Sequence, residues 1–396
     1  MFVLFGLVLF ATTCFSRFIP SLSSSSITDQ PIVFVQLYHA GDWAIKATIT
    51  NRGNTDLRIL KPGSILDARS FSKFRVTHDG TPISFKGMVP NFAMNKWEAR
   101  HFVTISAGQT SECTIDLSTT HDMTTGGTYQ VGVNSILHTA QLGSNDIAGS
   151  ISYQTNSLSL DLPKIIAIPS KTPAHALQRR ARIHPDCSLQ QLNNLTRASI
   201  LGAAWAGAGA REALKPNSPV WNRYFRINAS TEGATAQVLT KFHSLVSTRL
   251  TNIALELTSG VVSKIHCQAD IKTTPQFQED GNVNLCKEYP DQAIAYTIRA
   301  TCQIALCPLY WKLENKNDEC MANGNKGAFE QTGVLIHELT HCNTIGQVGF
   351  QPATDDLAYN WEDTTKEEVV TAGSLIQNAQ SHALFAKASY VGGKNC

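Results

Sequence analysis

Two unlike halves are predicted: an all-β, sandwich-like front half and an α+β rear half in which helices dominate. Three observations predict this. From about residue 30 to 162, short runs alternate apolar and polar side chains between turn residues, the period of two that strands follow. From Cys187 onward, apolar residues recur at three- and four-residue intervals, as on amphipathic helices. Eight of the ten cysteines fall between Cys187 and Cys396, so the rear half carries the crosslinking chemistry. At 396 residues the chain has room for two domains, each with its own core.

The elements follow in order. Met1–Phe10 is an apolar run followed by the small residues of Ala11–Ser16. It is too short to cross a bilayer and fits a signal peptide spanning residues 1–16. Residues 17–180 form the β-rich segment. "PIVFVQLYH", "DWAIKATIT", "FRVTHDGTPISF", "ECTIDLS" and "TYQVGVNS" read as strands, with Asp79-Gly80 supplying a hairpin turn. Many strands without helical pattern between them suggest a sandwich. Cys113 shares a strand face with Ile115 and Leu117, which points to a core cysteine; the alternative is a thiolate that caps a metal site in an inactive precursor.

Between Pro163 and Asp186 the chain holds three prolines and then Arg179, Arg180 and Arg182. Such a linker suits a processing protease, with cuts after Arg180 or Arg182. The third segment, 181–396, opens with the helical stretches "SLQQLNNLTRASILGAAWAGAGAREAL" and "ATAQVLTKFHSLVSTRLTNIALEL". The strand candidates "VVSKIHC" and "QAIAYTIR" come next, and a last helix is expected from about Thr365 to Lys387. Eight cysteines there imply four disulfides and an oxidising compartment, in agreement with secretion. Asn194-Leu-Thr196 and Asn228-Ala-Ser230 are glycosylation sequons. A net charge of +2 argues against nucleic acid or an anionic membrane as partner.

The chemistry concentrates in "LIHELTHC". His337-Glu338-Leu339-Thr340-His341 is an HExxH pattern, whose histidines at i and i+4 project from one helix face toward a shared metal ion, Zn²⁺. Glu338 then sits beside the metal's open position, where it takes a proton from water and later delivers it to a leaving amine. Val334, Leu335, Ile336 and Leu339 bury this helix, and a buried glutamate between two imidazoles without a metal would be costly. Catalytic zinc takes three protein ligands. A third histidine in the HExxHxxGxxH pattern is ruled out, because Thr344 and Gln347 occupy the required positions. A glutamate on a following helix (Glu362, Glu367 or Glu368) and an aspartate in the loop after the HExxH helix both stay open.

The stretch from Ala353 to Asn360, "ATDDLAYN", resembles the GTxDxxYG motif of the deuterolysin family, the fungal aspzincins. Thr354, Asp356 and Tyr359 match; Ala353 and Asn360 replace the two glycines. The resemblance implies Asp356 as the third zinc ligand, Tyr359 as a hydrogen-bond donor to the developing oxyanion, and Tyr310, in "CPLYW", as a second tyrosine near the active site. Asp355 falls on a variable position and gets no ligand role. Cys267, Cys286, Cys307, Cys320 and Cys396 look like family cysteines, while Cys302 and Cys342 look additional and are expected to pair with each other. The front half resembles the family's propeptides. Together these imply a secreted, monomeric zinc endopeptidase acting on proteins or peptides, made as a zymogen, with a zincin-type catalytic domain. The runners-up are a protease using a downstream glutamate ligand and an inactive secreted binding protein.

Overall fold

The computed structural model describes residues 32–162, 186–267, 284–314, 330–359 and 372–392, apart from single positions 70, 96, 124 and 232, together with Thr364. The expected signal peptide, the arginine cluster, Cys320, Cys396, Glu362, Glu367 and Glu368 lie outside these residues.

The described residues form a mixed α and β structure with several sheets. The front strands are β1 Val33–His39, β2 Ala44–Asn51, β3 Leu57–Leu60, β4 Arg75–His78, β5 Thr81–Pro82, β6 Met88–Phe92, β7 Phe102–Ile105, β8 Thr110–Asp116, β9 Gly127–Gly132, β10 Asn134–Ala140, β11 Ile147–Gln154 and β12 Leu158–Leu162. Eleven of them make three sheets, in the orders β1-β2-β8, β11-β10-β3-β7 and β12-β9-β4-β5. On β2 every second residue is buried, so Ile45, Ala47 and Ile49 enter the front core beside Val35, Val131, Leu137 and Leu160. The β4–β5 hairpin turns at Asp79 and Gly80, both at positive φ (49° and 76°), the left-handed pair that an Asp-Gly turn supplies. Cys113 is half-buried on β8 at the margin of this core and is a free thiol. It packs against the core as expected, and among the described residues it is not part of the His337, His341 and Asp356 cluster.

The rear helices are α1 Leu189–Ala213, α2 Pro219–Tyr224, α3 Ala236–Ser259, α4 Leu285–Glu288, α5 Gln331–His341, α6 Asn343–Gly346, α7 Ala372–Leu375 and α8 Ala379–Tyr390, with strands β13 Lys264–His266, β14 Ala293–Ile298 and β15 Gln303–Leu306. Ser188 starts α1 by accepting from Gln191 N while the Gln191 side chain accepts from Ser188 N, a capping box. Trp205, Leu250, Leu335, Ile336 and Phe385 join α1, α3, α5 and α8 in one core. Lys387 on α8 pairs with Glu330 at the start of α5, both buried. The single helix expected from about 365 to 387 is instead broken at Ile376–Asn378, where Asn378 turns its side chain to bond the loop that carries Asp356. Three disulfides lie among the described cysteines, Cys187–Cys267, Cys286–Cys307 and Cys302–Cys342, and the last is the pair expected.

The twelfth front strand belongs to none of these three sheets. β6 pairs antiparallel with β14, from Met88 opposite Ile298 to Phe92 opposite Ala293, and closes the edge of a sheet ordered β13-β15-β14-β6. A third core cluster forms at this junction. Leu60, Phe71, Met88, Phe92, Trp97 and Phe102 from the front pack on Leu285, Tyr289, Tyr296 and Ala305 from the rear.

Candidate active site

Helix α5 carries His337, Glu338 and His341, all fully buried. It ends at Cys342, and α6 folds back so closely that a Cβ on Gly346 would lie 1.9 Å from the Thr340 carbonyl oxygen. Only glycine fits there, and the tight return delivers the following loop to the metal-facing side of α5. Thr354 in that loop donates through its backbone N to Thr340 O at 3.1 Å.

Each histidine is oriented by its outer nitrogen. His341 Nδ1 lies 2.9 Å from Thr354 O. A carbonyl can only accept, so Nδ1 carries the hydrogen and Nε2 presents its lone pair. Gln380 Oε1 on α8, 3.1 Å from His337 Nδ1, does the same for His337. The two Nε2 atoms converge on Asp356 Oδ1, at 3.0 Å and 3.3 Å. Two ligands about 2.0 Å from a tetrahedral zinc stand roughly 3.3 Å apart, so these separations fit the ion. Both Nε2 atoms and both Asp356 carboxylate oxygens are buried without a hydrogen-bond partner. A cation at their meeting point would satisfy all of them, and none of the protein's own donors does.

The electrostatics agree. Burial pushes the Asp356 carboxyl upward, but the neighbouring imidazoles of His341 and His337 outweigh it and hold it well below the usual carboxylate range. Burial raises Glu338, with the Asp356 charge adding to it, against the pull of both histidines and of the Thr297 hydroxyl. Glu338 Oε2 accepts from the Thr297 hydroxyl of β14 at 2.7 Å, while Oε1 is buried and unpartnered. One carboxylate oxygen is thus held and the other is free to take a proton.

The family model for the deuterolysin metalloproteases matches residues 6–393. This chain belongs to the deuterolysin family. Neutral protease 2 homologues resemble it along most of its length. One from Arthroderma gypseum is 28% identical over 368 residues, covering 91% of this chain and 92% of the relative. A probable homologue from Arthroderma benhamiae is 30% identical over 374 residues, covering 91% and 90%. A zinc peptidase from Grifola frondosa aligns with 51% of this chain and 97% of its own at 16% identity, with a TM-score of 0.34. The deuterolysin assignment makes the protein a zinc metalloendopeptidase, and its His-His-Asp cluster is the candidate metal site.

The remaining sequence candidates separate. Tyr359 follows Asp356 on the same loop, and its hydroxyl lies 3.5 Å from the Pro90 carbonyl of β6. Tyr310 is fully buried in the rear core against Trp311, with its hydroxyl unpartnered. Asp355 points away from the histidines and accepts from Arg299 and from the front-half Ser72, both at 2.6 Å. Thr297, Gln380, Arg299 and Asn378 escaped the sequence reading. Asn378 Oδ1, for one, accepts from Leu357 N and Ala358 N and so holds the loop that carries Asp356.

Proposed function

We propose that this deuterolysin is a secreted zymogen whose segment 17–180 blocks the active site of a catalytic domain spanning 181–396. The observation that carries the reading is β6. It occupies the free edge of β14, the strand whose Thr297 holds Glu338, and its Pro90 carbonyl meets the Tyr359 hydroxyl. An extended peptide substrate would need that same edge, because main-chain pairing with an open strand is a general way to hold a peptide. Pro62, Gly63, Ile136 and His138 line one pocket together with Asp356 and Tyr359, which supports a cleft covered from the front side. Disulfides in the rear half support export to an oxidising compartment.

His337, His341 and Asp356 are assigned as the metal ligands. Zinc held there supplies Lewis acidity, polarising a peptide carbonyl and making water a stronger nucleophile. Glu338 acts as base through its free Oε1 and returns the proton to the leaving amine, with Oε2 anchored on Thr297. Tyr359, released from Pro90, donates to the oxyanion; Tyr310 is assigned as a second hydroxyl, whose unpartnered OH suits a substrate acceptor.

Conversion of the purified full chain tests this. A protease cutting after Arg180 or Arg182 should yield casein-degrading enzyme that starts at Ala181 or Ile183. The chain with Arg179, Arg180 and Arg182 replaced by alanine should stay uncut and inactive. An uncut chain with full activity would overturn the zymogen reading, and a Glu338→Gln enzyme with full activity would overturn the catalytic one.

A further inference from the structure

Arg249 on α3 is fully buried, yet among the described residues no carboxylate forms an ion pair with it. Its guanidinium donates to three backbone carbonyls and one ring nitrogen instead. Nε reaches Gly346 O at 2.6 Å, one terminal nitrogen reaches Pro352 O at 2.9 Å, and the other reaches Ile376 O at 2.9 Å and His382 Nε2 at 3.1 Å. Enclosing a cation this way is expensive, and burial pushes its pKa down to about 9, with Arg299 adding to the effect. A group held at such a cost needs a use that a neutral side chain could not supply.

The acceptors share one property. Gly346 closes the return from His341. Pro352 precedes Thr354, whose carbonyl orients His341, and Asp356. Ile376 precedes Asn378, which holds the backbone of Leu357 and Ala358, and Gln380, which orients His337. His382 extends the chain, since its Nδ1 donates to Asn378 O at 3.1 Å while Nε2 accepts from Arg249. The return after His341, the loop that carries Asp356 and the segment that leads to Gln380 are therefore tied to one planar fork. A lysine, whose donors diverge from a single atom, does not span three such carbonyls.

We propose that Arg249 is a positioning residue for the metal site, setting the path of the loop that brings Asp356 to His337 and His341. The inference rests on the ligand assignment above. Cobalt-loaded and zinc-loaded full chain provides the test, read by the visible absorption of bound Co²⁺ and by the zinc dissociation constant in competition with a chelator. Arg249→Lys should fold, weaken zinc binding about tenfold or more, and shift and weaken the cobalt bands. His382→Ala, which leaves all three carbonyls and the guanidinium in place, should move both readouts the same way by less. Lys387→Met breaks a different buried cation's contact with α5 and should lower the melting temperature without moving either readout.

Arg249→Lys or, if that variant fails to fold, His382→Ala with parental zinc affinity and cobalt spectrum would overturn the proposal. So would an equal change in Lys387→Met, which would mean general loosening of the core. Asp356→Asn separates the two layers of argument. If that chain keeps its metal, the ligand assignment has failed and the positioning role built on it falls too; if it loses the metal, the Arg249→Lys result judges the positioning role alone.

Discussion

Thr297→Val in the activated enzyme isolates the contact that anchors the catalytic base. The substitution keeps shape and volume and removes one hydroxyl, which is fully buried and donates to Glu338 Oε2 at 2.7 Å. A hydrogen bond to an ionised group contributes about 1.5–3 kcal/mol. The bond favours the carboxylate over the carboxylic acid, so its loss raises the Glu338 pKa. At 1.36 kcal/mol per unit, that is roughly 1–2 units. Glu338 must be ionised to accept a proton, and activity disappears as pH falls through its pKa. The acid limb of the kcat/KM profile should therefore move to higher pH by roughly 1–2 units. Zinc content should stay at one per chain, because no ligand is touched. The assay is a pH–rate profile on a peptide substrate with metal analysis of the same sample. An unmoved acid limb in an enzyme with full zinc would refute the role given to Thr297, and loss of zinc would show that the strand supports the ligands instead.

Other outcomes follow from the same geometry. Asp356→Asn should weaken zinc binding strongly, whereas Asp355→Asn should keep the metal and lose its contacts to Arg299 and Ser72; chelator competition distinguishes them. Thiol titration of the denatured, unreduced catalytic segment should find no free cysteine, while the precursor lacking its leader should show one, Cys113. His121, buried beside Phe85 at the front–rear junction, has its pKa pushed down to about 4 by burial, with Arg299 adding to the effect. Its unfolded-state value is about 6.5, so the unfolded chain binds the extra proton first and precursor stability falls as pH drops from 6.5 toward 4, by roughly 3 kcal/mol. Urea midpoints at the two pH values should differ much less in His121→Leu.

The parts of this structure that were legible in the sequence are those fixed by local chemistry. Asp79-Gly80 specifies its own turn, and HExxH fixes a helix face, so both appear where expected. The aspartate in the Asp356 loop became legible only through its resemblance to a known motif, because nothing in its spacing ranked it above the downstream glutamates. β6 was illegible for a different reason. All five of its residues are buried, so it shows no alternation, and its partner β14 lies far along the chain. Pro90 held the one clue, since proline in a strand belongs at a sheet edge, and β6 is an edge. Gln380 and Arg249 reach the site from other helices, across a broken helix whose break at Ile376–Asn378 no periodicity announced.

The borrowed strand also bears on how the enzyme folds. The sheet beside Glu338 is completed by residues that activation would take away, so the mature chain would have to hold a shape it no longer has all the parts to rebuild. Its persistence would then be governed by the height of the unfolding barrier, with the crosslinks Cys187–Cys267, Cys286–Cys307 and Cys302–Cys342 slowing escape. Segment 181–396, unfolded with its disulfides intact, should regain activity poorly alone and better when segment 17–180 is added and later digested. Equal recovery with and without it would mean that β6 is a cover and not a template.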